Sequence, residues 1–390
     1  MVMDGTNDGR AWRDRKRYCW VLGLLAPACA LLPSTFVRQT GIEAFWWIGP
    51  VIVFVCVPIL DALVGDDGVN PPDSEYERLS NDKFYRWCTY LFLPVLLSGL
   101  VVAAHLWASS ALDVTAKIGL AITVGLVSGI GINAAHELGH RTEKHERWLA
   151  KVALAQSFYG HWYVEHNRGH HVRVATPEDC SSARFGENLW AFLPRSIAGG
   201  FISAWRLEID RLRRKGQGPI TFHNNILQAW ALSAALFGTL LAVFGLSIAP
   251  YLALQAAIAF TMLETVNYVE HYGLLRARLA SGRYERTLPR HSWNSDRLVT
   301  NVFLFHLQRH SDHHANPARR YQTLRSAEEA PQLPAGYPTM IMLAMCPPLW
   351  RAVMDHRVVA HYDGDISKAN LAPRLRKRIL ASDKGFIDAA

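Results

Sequence analysis

The chain has 390 residues, 50% of them hydrophobic, and a formal net charge of +8 at pH 7. Its mean hydropathy is close to zero, so strongly apolar segments must alternate with a large polar remainder. The six cysteines lie far apart and form no Cys-x-x-Cys pair, which argues against cysteine-based zinc, iron–sulfur and dithiol sites.

Six apolar stretches are each long enough to cross a bilayer as a helix, which takes about 20 residues. They run over residues 19–37, 43–63, 87–107, 114–135, 226–246 and 248–267. The sequence therefore predicts an all-α integral membrane protein with six transmembrane helices and a cytoplasmic helical cap. The predicted order is a tail at 1–18, helices one to four within 19–135, a cap segment at 136–225, helices five and six within 226–271, and a second cap segment with the C-terminal tail at 272–390.

Lysine and arginine are distributed very unevenly between the connecting segments. The N-terminal tail, the connection between helices two and three, and the two cap segments hold 39 of the 41 cationic residues, and only Arg38 and Lys117 fall on the other side. The positive-inside rule makes the basic side the cytoplasm. This distribution explains the net charge without nucleic acid, and the sequence carries no motif typical of DNA or RNA binding.

Nine of the 17 histidines fall into four short motifs on the basic side, at 133–140, 165–171, 267–273 and 307–314. They are His136, His140, His166, His170, His171, His271, His310, His313 and His314. Histidines three or four positions apart share a helix face, so His166 and His170, for example, can aim at one point. Nine imidazoles exceed what one ion can bind, whereas two ions with four or five ligands each would use them all.

The first motif, His-Glu-Leu-Gly-His, also matches the zinc-protease pattern H-E-x-x-H. One zinc ion takes three or four protein ligands, which leaves most of the other histidines unexplained. Imidazole suits iron, and two ferrous ions would carry charge that nearby carboxylates offset while they orient the rings. The predicted neighbours of the ligands are Glu137, Glu165, Glu264, Glu270, Asp312, Asn133 and Asn267. For each carboxylate, solvent exposure or pairing with an arginine is the alternative.

Several other histidines are predicted not to bind metal, namely His145, His161, His223, His356 and His361. The roles of His306, one turn before His310, and of His291 stay open at this point.

The motifs resemble those of membrane non-haem diiron oxygenases, which include acyl desaturases, carotenoid hydroxylases, xylene monooxygenases and alkane monooxygenases. Three stretches are similar to the alkane 1-monooxygenase family: Asn-Tyr-Val-Glu-His-Tyr-Gly-Leu at 267–274, Glu-His-Asn-Arg-Gly-His-His at 165–171 and Leu-Gln-Arg-His-Ser-Asp-His-His-Ala at 307–315. The resemblance covers nearly the whole chain, and the xylene-type monooxygenases are the nearest other branch.

That resemblance implies O2-dependent hydroxylation of medium-chain n-alkanes to 1-alkanols at two non-haem iron ions held by the nine histidines. It also implies a bacterial cytoplasmic membrane and electrons from reduced rubredoxin, either separate or fused beyond these residues, which an NADH-dependent rubredoxin reductase supplies. Histidine spacing alone leaves open a diiron hydroxylase or desaturase that acts on aromatic or acyl substrates. A metal transporter with histidine gates is a third hypothesis, although the histidine motifs stop at one membrane face.

Two further surfaces are predicted. An alkane has no polar handle and dissolves in lipid, so the helices that end in ligands should line its channel. The candidate lining residues are Gly125, Gly129, Ile132, Phe260 and Leu263, with close helix packing as the alternative for the glycines. The candidate docking site for acidic rubredoxin is the basic run Arg206, Arg211, Arg213, Arg214 and Lys215, with anionic lipid as its alternative partner.

Overall fold

The computed structural model describes residues 12–109 and 112–378. Residues 1–11, 110–111 and 379–390, which include the ends of both predicted tails, lie outside the described residues. Within the described part, the regular structure is helical, and β-pairing is limited to isolated bridges such as the one between Asp66 and Arg297. The predicted all-α class is therefore confirmed.

The helices are numbered here in chain order. They are α1 Arg17–Thr40, α2 Glu43–Val64, α3 Tyr76–Asn81, α4 Lys83–Ala108, α5 Val114–Gly139, α6 Lys144–Ala155, α7 Trp162–Glu165, α8 Leu189–Arg213, α9 Asn225–Phe244, α10 Leu246–His271, α11 Leu298–Phe303, α12 His310–Ala315, α13 Tyr337–Met345 and α14 Pro347–His361. A π-helical turn, His166–His170, and a short turn, His171–Arg173, continue α7. Within the described residues, six helices are long and apolar enough to span a membrane, namely α1, α2, α4, α5, α9 and α10, which confirms the six predicted spans.

Helix α5 occupies the centre of the bundle, because most of its side chains are buried against α4, α6 and α10. It begins after Asp113, whose carboxylate accepts a hydrogen bond from the backbone N–H of Ala116 at 2.7 Å and so caps the helix. Gly129 lets α10 approach closely, since a Cβ at this position would lie 2.9 Å from the Cβ of Met262. The last turns of α5 and α10 therefore end side by side, where His136 and His271 stand.

The second cap segment reaches back into the bundle. Helix α13 packs against α10 and against the middle of α2, and its residues Tyr337, Pro338 and Ile341 line the same cavity as the membrane helices. Asp61 on α2 accepts a hydrogen bond from the backbone N–H of Thr300 at 2.9 Å, which attaches α11 to the same helix. These contacts bring the fourth histidine motif against the ends of α5 and α10.

Candidate metal centre

The nine predicted histidines come together in two groups. The first group contains His136, His140, His166, His171 and His313, and the second contains His170, His271, His310 and His314. Within each group, one ring nitrogen from every member lies within 4.8 Å of those of the others. The chain thus forms two adjacent clusters with five and four imidazoles, as expected for a pair of ions.

The spacing of the nitrogens fits metal coordination. Neighbouring Nε2 atoms are 2.9 Å apart between His136 and His313, 3.0 Å between His140 and His166, and 3.2 Å between His271 and His310. With a metal–nitrogen bond of about 2.1 Å, two adjacent ligand nitrogens lie about 3.0 to 3.4 Å apart. The Nε2 lone pairs therefore converge at the separation that a shared ion requires.

The division into two groups follows from the local helix type. Residues 166–170 form a π-helical turn, in which residues five apart lie on one side of the helix. His166 and His171 consequently join the first group, with their Nε2 atoms 3.1 Å apart, whereas His170 turns to the second. The expectation that His166 and His170 aim at one point is wrong for this reason. In α12, likewise, His313 joins the first group and His310 and His314 the second.

Asp179 orients one of the rings, and sequence reasoning missed it. Its Oδ2 accepts a hydrogen bond from Nδ1 of the buried His170 at 2.9 Å and another from Ser182 Oγ at 2.6 Å. The Nε2 of His170 finds no hydrogen-bond partner among the described residues, so its lone pair is free for an ion. A carboxylate on the far nitrogen of a ligand imidazole is the usual second partner of metal-bound histidine.

Burial determines the charge state of the ligands outside the membrane helices. Burial, and then the neighbouring imidazoles, hold the pKa values of His140, His166, His310 and His313 well below the ordinary value of histidine. These rings are consequently neutral at physiological pH, which is the state that binds a metal ion.

Glu270 is the predicted neighbour that comes nearest to a ligand nitrogen. Its Oε2 lies 3.1 Å from Nε2 of His310 in the second group. Together with Asp179, it gives the second group two carboxylates. The first group borders an aromatic ring instead, since the indole of Trp162 stacks on His166 with ring centroids 4.3 Å apart.

Three other predicted carboxylates pair with arginines. Pairing of this kind was the alternative to a role beside the metal ligands. Glu137 binds Arg141 at 3.0 Å, Glu165 binds Arg173 at 2.8 Å, and Asp312 binds Arg319 at 2.8 Å. These pairs fasten the loops that carry the histidine motifs. The possible ligand atoms of Glu165, Asp179 and Cys180 also lie within 4.8 Å of one another. Asp179, however, already accepts a hydrogen bond from His170.

The remaining predicted neighbours lie on the membrane side of the histidines. Glu264 accepts hydrogen bonds from Tyr159 Oη at 2.8 Å and from Asn267 Nδ2 at 3.2 Å. Asn133 donates to the backbone oxygen of Leu304 at 2.5 Å. Asn133 and Asn267 both border the cavity described below.

The histidines whose roles were open lie outside both groups. The Nδ1 of His306 is 2.9 Å from the backbone oxygen of Tyr321, and His291 pairs with Glu285 at 3.2 Å. Within the described residues, His306 contacts no member of the two groups, whereas the backbone of His291 hydrogen-bonds the imidazole of His271. Neither imidazole belongs to a group, so each has a structural role.

An apolar cavity runs from the membrane helices to the histidines. It is lined mainly by α2, α5, α10, α11 and α13, and His136, His166 and His310 form its polar end. Of the predicted channel residues, Gly129 and Leu263 line it. The other three were assigned wrongly: Gly125 packs on Ile258, Ile132 is fully buried in the core, and Phe260 stacks on Tyr159.

The basic run at 206–215, the candidate docking site, is exposed at four of its five predicted residues. Arg206, Arg213, Arg214 and Lys215 are exposed. Arg211, in contrast, binds the buried Glu208 at 2.6 Å and the backbone oxygen of His223 at 2.5 Å, so it fastens α8 to the loop before α9. We therefore remove Arg211 from the candidate docking residues.

A six-span helical bundle that ends in a histidine-rich centre is typical of membrane oxygenases and desaturases. The family model described as fatty acid desaturase accordingly matches residues 115–344, which contain all nine histidines.

Relatives that match most of the chain identify the branch of these membrane enzymes to which it belongs. The alkane 1-monooxygenase of Pseudomonas putida is 43% identical over 93% of this chain and 90% of its own length. Alkane 1-monooxygenase 2 of Pseudomonas aeruginosa is 45% identical, over 91% and 96%. The xylene/toluene monooxygenase hydroxylase component of Pseudomonas putida is 29% identical over 82% of this chain. The chain belongs to the alkane 1-monooxygenase family.

Proposed function

We propose that the protein hydroxylates the terminal carbon of medium-chain n-alkanes, using O2, two iron ions held by the nine histidines, and electrons from rubredoxin. The balanced reaction converts an alkane, O2, two electrons and two protons into a 1-alkanol and water. The observation that carries this proposal is the cavity, which ends at His136 and His166 of the first group and at His310 of the second. A chain that fills it presents its last carbon to the space between the two groups.

The cavity wall supports a hydrocarbon substrate. Apolar residues make up most of the lining, and 11 of the 26 lining residues are valine, isoleucine, leucine or methionine. Burial of an alkyl chain from water is worth about 0.8 kcal/mol per CH2, or about 6 kcal/mol for eight carbons. Because shape and apolar contact are the available means of recognition, a narrow cavity that admits the chain end first favours carbon one over internal carbons.

The iron pair, when bound, supplies the redox chemistry that reduces O2 and places one oxygen atom on carbon. The chain's residues hold the substrate end and keep bulk water away from this region. Asn133 and Asn267 stand at the polar end with their amides already held by Leu304 and Glu264. Their remaining polar atoms are placed to hydrogen-bond the product hydroxyl, which helps to hold the functionalised end at the centre.

We also place the histidine centre on the cytoplasmic side of a bacterial inner membrane. The positive-inside rule supports this orientation, because the connections on the histidine side carry nearly all of the cationic residues. A cytoplasmic centre is accessible to a soluble electron donor and its NADH-dependent reductase.

Turnover of purified protein tests the proposed function directly. The protein, with rubredoxin, rubredoxin reductase and NADH, should convert octane to 1-octanol as detected by gas chromatography, and bound iron should be measured on the same sample. Iron-loaded protein that instead desaturates an acyl chain, or that leaves octane unchanged, would contradict the proposal.

A substitution in the cavity should alter chain-length preference. Leu263→Trp places bulk on α10 beside the path of the substrate. We expect dodecane turnover to fall at least about tenfold while hexane turnover changes little, because a lost or added methylene in an apolar pocket changes specificity by about 10- to 200-fold. Gas chromatography of 1-dodecanol and 1-hexanol gives both rates.

The matched control for this substitution is Val243→Trp, which adds the same ring at an exposed position of α9. Its ratio of dodecane to hexane turnover should equal that of the wild type. An unchanged ratio in Leu263→Trp would remove α10 from the channel wall.

The electron donor is proposed to approach the first histidine group. His140 and His171 are half-buried, whereas the other seven histidines are buried, so these two rings bring the centre closest to the surface. Val172 beside them is 64% exposed and offers an apolar contact of the kind found at the middle of an interface. The exposed cations Arg206, Arg213, Arg214 and Lys215 would attract an acidic carrier to this side.

Charge reversal tests the attraction. In the Arg213→Glu/Arg214→Glu variant, the half-saturating rubredoxin concentration should rise about tenfold at low ionic strength and less at high salt, because salt screens exposed charges. Iron content should stay unchanged. The control Arg38→Glu/Lys117→Glu reverses two cations at the opposite ends of the helices and should leave rubredoxin dependence intact. An equal response of the two variants would refute steering by this run.

A further inference from the structure

A second apolar groove lies beside the substrate cavity. Its lining comes from α2, α5 and α10 and from the end of α13. The residues are Phe54, Ile122, Leu126, Ala257, Ile258, Thr261, Met262, Thr265 and Met345. None of them is charged, and the hydroxyl of Thr265 donates to the backbone oxygen of Thr261 at 2.8 Å. The groove is therefore apolar over most of its surface.

Met262 separates the groove from the cavity, because its side chain lines both. It packs in one buried apolar cluster with Val53 and Leu126. Methionine is unbranched and has three rotatable bonds, so it can change conformation at low cost where a β-branched residue cannot. Rotation of this one side chain would join the two spaces without movement of a helix.

We propose that the groove is a second binding site for the n-alkane, and that the substrate passes from the membrane through it into the cavity when Met262 moves aside. This inference rests on the proposed function. Eight of the nine lining residues belong to helices that span the membrane, so the groove opens at the depth of the lipid tails. An alkane dissolved among those tails is already in an apolar surrounding and reaches the groove without crossing water.

Continuity with the cavity selects the alkane as the occupant. A lipid acyl chain has the same chemistry, but its headgroup holds one end at the membrane surface. An unattached alkane can instead slide lengthwise past Met262. The groove is thus an entrance for free hydrocarbon, and occupation by acyl chains alone is the competing outcome.

A matched pair of substitutions on α10 tests the entrance. Ala257 lines the groove, and Ala253, one turn earlier, is exposed and lines neither space. We expect Ala257→Trp to lower kcat/KM for octane about tenfold with kcat within about twofold, because a blocked entrance slows capture and leaves the reacting complex intact. Ala253→Trp should keep both constants, and both variants should bind as much iron as the wild type.

Photolabelling of the wild-type protein decides the question independently of folding. A diazirine-bearing alkane should label the segment with Ala257, Ile258 and Thr261, and excess octane should suppress the label. The entrance is refuted if kcat/KM of iron-loaded Ala257→Trp equals that of the wild type, or if octane fails to displace the label. It is also refuted if the segment stays unlabelled, which would mean that acyl chains fill the groove. Wild-type protein that does not hydroxylate octane would refute the proposed function itself.

Discussion

The His313→Ala variant should lose one of the two proposed iron ions and at least about 100-fold of its alkane hydroxylation, since loss of a ligand costs more than the roughly 10- to 100-fold expected for loss of a residue that only holds a ligand in place. The variant His314→Ala should be equally inactive and should lose the other ion. The two residues are neighbours in sequence on α12, but their imidazoles join different groups. Because these groups have five and four histidines, the ion that remains should have a different ligand environment in each variant.

Iron analysis combined with Mössbauer spectroscopy can distinguish the two variants. Each spectrum should keep one component of the wild-type spectrum, and the retained component should differ between them. His356→Ala is the control, because His356 is exposed on α14 and belongs to neither group. Identical spectra for the two α12 variants would refute the division of the histidines into two sites.

The fold could be predicted largely from the sequence because membrane helices are determined by local composition. A run of about 20 apolar residues has few alternatives in a bilayer, and the six predicted spans correspond to α1, α2, α4, α5, α9 and α10. The convergence of the nine histidines was equally predictable, since their motifs stand at or near helix ends on one side.

The division of the histidines required the structure. Spacing rules assume an α-helix, whereas His166–His170 forms a π-turn, which places His171 rather than His170 beside His166. Three of the five predicted channel residues were assigned wrongly for a related reason. Periodicity identifies the face of a helix but not its neighbour, so Gly125 and Phe260 were assigned to a cavity although they pack on Ile258 and Tyr159.

Asp179 shows a different limit of sequence reasoning. It lies eight residues after His171 in a segment with no helical period, and the chain must turn back on itself before its carboxylate reaches His170. The nearby Glu165 was a more obvious candidate from its position, but it pairs with Arg173. The sequence offered one indication of Asp179, namely a carboxylate in a loop close to a ligand motif. The adjacent Glu178 met the same criterion, so the sequence could not distinguish the two.

The Asp179→Asn variant should weaken iron binding at the second group by about 10- to 100-fold, the usual cost of losing a carboxylate behind a ligand histidine. Asparagine can still accept the hydrogen bond from His170 Nδ1, so this variant removes charge while it keeps the ring orientation. Asp179→Ala removes both the charge and the hydrogen bond, and it should weaken iron binding more. Competition with an iron chelator measures the affinity, and the first group should keep its iron in both variants.

Glu178→Gln is the matched control, because it neutralises the adjacent, exposed carboxylate and should leave iron affinity unchanged. Although burial raises the pKa of Asp179, the hydrogen bonds from His170 and Ser182 hold it below the ordinary value of an aspartate. The carboxylate is consequently ionised from about pH 6 to about pH 8, and the difference in affinity between Asp179→Asn and the wild type should be constant over that range. Equal losses of iron from the two groups would mean that Asp179 stabilises the cap as a whole and does not act through His170.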